Sequence, residues 1–92
     1  MKRLEDYVNA IVRDEREKFV SEQTVLYSEN RIERLYKFHD NAVVKYEWQS
    51  LPENLKGSED LFNHRFTLVQ PPSPNPNNFK PGVIEVINYP SS

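Results

Sequence analysis

The chain has no cysteine among its 92 residues, which excludes disulfides, thiol catalysis and thiolate metal sites. Its only two glycines, Gly57 and Gly82, stand far apart, and neither belongs to a glycine-rich phosphate-binding loop. No Asn-x-Ser/Thr sequon occurs, and no apolar run approaches the length needed to span a bilayer. Charge of one sign is also lacking. The formal net charge is −2, and the first twenty residues carry five acids and five bases. Duplex-DNA binding driven by clustered Lys and Arg is therefore disfavoured. The opening Met1-Lys2-Arg3-Leu4-Glu5-Asp6 turns acidic before any apolar stretch, so a secretory leader is not expected and a cytoplasmic location is.

What is present is periodicity. Ile32, Tyr36, Phe38, Val44, Tyr46 and Trp48 occupy even positions, whereas Glu33, Lys37, Lys45 and Glu47 occupy odd ones. Alternate side chains of a strand leave opposite faces, so 31–39 and 43–49 read as a β-hairpin with an aromatic inner face and a charged outer one. An odd loop keeps facing residues on the same side. Asp40-Asn41-Ala42 supplies three residues, which pairs Phe38 with Val44, Tyr36 with Tyr46 and Arg34 with Trp48. The run from Phe38 to Trp48 resembles hairpins in small bacterial proteins of the toxin–antitoxin type. That resemblance covers only this hairpin and does not assign the chain to a family.

Leu4, Tyr7, Val8, Ile11, Val12, Phe19 and Val20 follow helical spacing, which predicts an amphipathic helix over about 4–20 with Asp14–Lys18 and Glu15–Lys18 as supporting ion pairs. Thr24-Val25-Leu26-Tyr27 predicts a strand over 24–27. Residues 50–63 have loop chemistry, with one short helical turn expected near Glu59–Phe62. Further strands are expected over 64–70 and 83–89. Between them, 71–82 holds five of the seven prolines and forms a connector, since proline offers no N–H to a ladder. The expectation is a single α+β domain over 1–92, with the N-terminal helix packed on one face of a four- to five-stranded, mainly antiparallel sheet. Tyr36, Phe38, Tyr46, Trp48, Phe66 and Leu68 would meet Tyr7, Val8, Ile11 and Val12 in the core.

No catalytic or cofactor-binding motif is present, no metal-ligand spacing occurs, and no cofactor is expected. The favoured reading is a small non-enzymatic interaction or accessory domain that self-associates or binds a protein partner. A core this small gains stability from a partner subunit, which favours a homodimer. Val83, Glu85, Ile87 and Tyr89 on the last strand are the candidate contacts, provided that strand lies at a sheet edge. The alternative is a nucleic-acid-associated protein, such as a toxin–antitoxin component, using His39, Asp40, His64 and Arg65. That reading requires both histidines to converge on one cleft. A third reading, a small-ligand binder between helix and sheet, requires a cavity where packed rings are expected.

Overall fold

The computed structural model describes residues 3–50 and 63–87. One helix, α1 (Leu4–Val12), and one 3-10 turn (Arg16–Lys18) precede five strands: β1 (Phe19–Tyr27), β2 (Arg31–Phe38), β3 (Val43–Gln49), β4 (His64–Gln70) and β5 (Gly82–Ile87). The strands form one antiparallel sheet in the order β1-β2-β3-β4-β5. The fold is the expected α+β arrangement, with the helix on one face of a five-stranded sheet. The turn expected near 59–62 and the last part of the strand expected over 83–89 lie outside the described residues.

The helix is shorter than its periodicity predicts. Its first turn holds Glu5 and Asp6, where acids suit the positive end of the helix dipole, and the Asp6 carboxylate accepts the Arg3 backbone N–H at 3.0 Å. Its end is a Schellman motif. Asp14 takes a left-handed φ of 54°, its N–H bonds the Ile11 carbonyl at 3.2 Å, and the Glu15 N–H bonds the Ala10 carbonyl at 2.9 Å. Aspartate fills the slot that glycine usually takes. The chain therefore leaves the helical path before the end of the apolar pattern, and Phe19 opens a strand instead of closing a helix. The expected helix over 4–20 and strand over 24–27 are corrected to Leu4–Val12 and Phe19–Tyr27. Val12 and Val20, expected on the buried stripe, are exposed, while Phe19 is buried opposite Phe38. Glu15 and Lys18 do pair, at 2.8 Å, but Asp14 pairs with Arg16 rather than Lys18.

The hairpin keeps its two-faced parity but shifts by two residues. Tyr36 faces Val44, Arg34 faces Tyr46 and Ile32 faces Trp48. The loop is His39-Asp40-Asn41, closed by an Asn41 N–H to Phe38 carbonyl bond of 3.0 Å and a Phe38 N–H to Ala42 carbonyl bond of 2.9 Å. Asn41 has φ 72°. In a three-residue loop, the left-handed position is the last one, and Asn tolerates it where Ala does not. That preference moves the loop one residue towards the N-terminus.

The core joins Tyr7, Val8 and Ala10 of α1 to Phe19, Tyr36, Phe38, Ala42, Val44, Phe66 and Leu68. Tyr7 meets Phe38 edge to face, with ring centroids 4.9 Å apart, and its hydroxyl donates to the Asp40 carboxylate at 2.6 Å. One side chain thus fixes the helix to both the sheet and the hairpin loop. The proline-rich connector packs along this end: the Ser73 N–H bonds the Asp40 carbonyl at 2.8 Å, and Phe79 lies 6.3 Å from the Tyr7 ring. Trp48 shares the inner face with Phe38, as expected, but is only half-buried and stands outside the core cluster, because α1 stops short of it.

Candidate functional site

The sequence singles out two pairs of residues for chemistry, and the fold keeps them apart. His39 and Asp40 lie in the β2–β3 loop. His64 starts β4, opposite Trp48, which in turn faces Ile32 at the far end of β2. At about 3.3 Å per strand residue, the two histidines are on the order of 20 Å apart along the sheet. Asp40 is committed to structure, since it accepts both the Tyr7 hydroxyl and the Ala42 N–H (3.0 Å). His39 is exposed on the rim of an open groove of about 730 Å³ at the turn after α1. The acids Asp6, Glu15, Glu17 and Asp40 outnumber the bases Arg13 and Lys18 around that groove. Such a field opposes a phosphate backbone.

His64 and Arg65, adjacent in sequence, point to opposite faces. On the outer face, Arg65 grips Glu47 with two bonds, Nε to Oε1 at 3.0 Å and Nη2 to Oε2 at 2.9 Å. Arg31 adds a third, Nη2 to Oε2 at 2.8 Å, and also bonds Glu33, which Lys45 reaches at 2.7 Å. Glu47 is only 2% exposed. The Lys45 hydrogen bond, supported by Arg31, holds the Glu33 carboxyl below its ordinary range despite some desolvation. Three cations and two carboxylates thus tie β2, β3 and β4 together on the face opposite α1.

On the inner face, strands β2 to β4 continue past the end of α1 and leave a pocket of about 310 Å³. Ile11, Val12, Phe66 and Ile87 form its apolar walls; Arg34, Tyr36, Tyr46 and His64 form its polar rim. The Tyr46 hydroxyl lies 2.8 Å from His64 Nδ1, and burial pushes the His64 imidazole below its ordinary pKa, which favours the neutral ring. Arg34 bonds Tyr36, but its buried Nε has no hydrogen-bond partner among the described residues, and the Glu22 carboxylate stands 3.7 Å from Nη1, beyond hydrogen-bond distance. Burial raises the Tyr36 pKa, partly offset by its hydrogen bond with Arg34. The cavity required by the ligand-binding reading is therefore present, although sequence reasoning places packed rings there. One signal pointed to it: Arg34 is the cation that shares even parity with the hairpin aromatics. Among the described residues, no group of three or more His, Cys, Asp or Glu is placed to hold a metal ion. No described helix is long and apolar enough to cross a membrane.

The last candidate set lies on β5, which is an edge strand. Val83 is 57% exposed and Val86 46%; Glu85 is exposed, and Ile87 packs partly against the core. Tyr89 lies outside the described residues. A bulge at Ile84 separates the Phe66–Glu85 and Thr67–Val83 pairs, so Val83 and Val86, three apart in sequence, share the outer face with Thr67 and Arg65.

Comparison with protein-family models, curated proteins and solved structures finds no match to this chain. Geometry alone carries the functional reading.

Proposed function

We propose that this chain is a non-enzymatic interaction domain that pairs with a second copy of itself along the edge of β5 that no described strand covers. The observation that carries this reading is the edge position of a strand with one charge, Glu85, and no internal proline. Edge strands that stay unpaired are normally protected by lysines, prolines or strong bulging. The other edge, β1, has more of this protection: its register breaks twice, and its middle residues Ser21 to Thr24 are polar and include Glu22. Because of the bulge at Ile84, a two-fold axis between Ile84 and Glu85 would set Val83 of each copy against Val86 of the other on one face. Such an isologous contact is self-complementary and continues the sheet from one subunit into the next.

Sedimentation at micromolar concentration tests the reading with two exposed substitutions. Wild type is expected to run as a dimer, V83K as a monomer and L26K, on β1, as a dimer. A monomeric wild type overturns the proposal. A dimer broken by L26K but not by V83K overturns the assignment to β5. The nucleic-acid alternative gains nothing from the geometry, since its two histidines lie at opposite ends of the sheet.

A further inference from the structure

The inner-face pocket has the three properties of a small-molecule site: concave shape, apolar walls and a few convergent polar groups. It exists because α1 ends at Val12 while the strands beneath continue, so Ile11 and Val12 form one lip and the sheet forms the floor. Its volume, about 310 Å³, is at the small end of the range for ligand sites.

Charge narrows the class of occupant. Of the polar rim, Tyr36 and Tyr46 contribute phenol hydroxyls, and burial disfavours a charge on His64. Among the described residues Arg34 is the rim's one cation, and Glu22 near Nη1 already offsets part of its field. A single, partly offset positive charge suits one negative charge and does not suit a dianion. The planar fork of the guanidinium matches a carboxylate: it bonds Tyr36, but its Nη1 lies beyond hydrogen-bond distance of Glu22 and its Nε–H has no partner among the described residues. Opposite it, Ile11, Phe66 and Ile87 offer a surface for a compact apolar body.

We propose that this pocket binds a small monocarboxylate with an aromatic or branched aliphatic body, its carboxylate held by Arg34 and its body seated against Ile11, Phe66 and Ile87. This site uses the inner face and does not depend on self-association through β5.

The test is an NMR titration of the full chain with benzoate, benzamide and phenyl phosphate. Benzoate is expected to give saturable shifts at Ile11, Arg34, Phe66 and Ile87, with a Kd of about 1 mM or tighter. Benzamide has nearly the same shape without the charge, and should bind about tenfold more weakly, the scale of one charge-assisted hydrogen bond. R34Q should lose about the same factor. Val12 is 64% exposed at the lip of the pocket, so a charge can be placed there without disturbing the core: V12K should raise the ratio of benzoate to benzamide affinity and V12D should lower it, whatever either does to the apolar contact that the two ligands share. Absence of saturable benzoate shifts overturns the proposal, as does equal binding of benzoate and benzamide. Tighter binding of phenyl phosphate than of benzoate overturns the monocarboxylate assignment.

Discussion

Replacing Glu47 with glutamine tests whether the outer-face ion network supports the fold. The carboxylate is almost fully buried and accepts three charge-assisted hydrogen bonds, one from Arg31 and two from Arg65. Removing one partner of a fully buried ion pair costs about 3–5 kcal/mol, because the other charge is left without compensation. Here the Arg31 and Arg65 side chains are 39% and 33% exposed, so both guanidiniums regain water once the carboxylate is gone. The expected loss is therefore lower, about 2–3 kcal/mol. For a chain of this size, that corresponds to a fall in Tm on the order of 10–20 °C. Urea and thermal unfolding followed by circular dichroism measure it. The same substitution in an R31Q/R65Q background should reverse sign, because there it removes a buried carboxylate that has lost its strongest partners. An E47Q cost below about 0.5 kcal/mol, or an equal cost in both backgrounds, refutes the reasoning.

Tyr7→Phe removes the hydroxyl that bonds Asp40 and should cost about 1–2 kcal/mol by urea unfolding, with α1 loosening from the hairpin before the sheet does in hydrogen exchange. Asn41→Val forces a β-branched residue to a φ of 72° and should cost about 2–4 kcal/mol, whereas Asn41→Gly, which loses only the exposed 3.1 Å bond from the Asn41 amide to the Ser73 carbonyl, should cost about 1 kcal/mol or less. Equal effects of the two would show that the left-handed slot does not set the loop. Acid should destabilise the protein in part through Glu33. Its folded pKa is below the ordinary 4.5, so the unfolded chain takes up the proton first. That contribution is present above about pH 4.5 and is lost as pH falls through the folded value. Unfolding midpoints from pH 7 downward should therefore fall less steeply for Glu33→Gln than for wild type.

The strands were legible because a period of two survives small errors of placement. A hairpin shifted by two residues still puts Tyr36, Phe38, Val44 and Tyr46 on one face. Its true register depended on which loop residue takes the left-handed conformation, and the rule that Asn41 should be last in the loop was available from the sequence. The helix end was harder to see. Phe19 and Val20 extend the helical stripe by coincidence of spacing, and no glycine marks the break, since Asp14 takes that place. Burial followed from these placements: Trp48 has the right parity but lies beyond the reach of α1. Glu47 showed the opposite effect, a charged residue on the open face that became buried because two arginines from neighbouring strands close over it. Residue type and parity alone do not show which open-face charges will be covered by such pairing. The pocket was illegible for a different reason. It is a difference between the length of the helix and the length of the sheet, and neither length is a property of the residues that line it.

That difference organises the rest of the molecule. At 1.5 Å per residue, the nine residues of α1 span about 13 Å, whereas the eight residues of β2 span about 26 Å. A helix continuing to Val20 would extend about 12 Å further from the lip formed by Ile11 and Val12, across the pocket. It would also consume Phe19 and Val20, the first residues of β1. The reversal at Asp14 thus does two things at once: it donates the edge strand that covers one side of β2 and it uncovers the inner face around Arg34. The outer face, which no described helix covers, binds its own charges into the network around Glu47 and exposes Val69 on β4 with Val83 and Val86 on β5. The apolar edge at β5 and the cationic pocket consequently adjoin one another. Ile87 belongs to both, as the last residue of β5 and a wall of the pocket, so an occupant of either site meets the same strand.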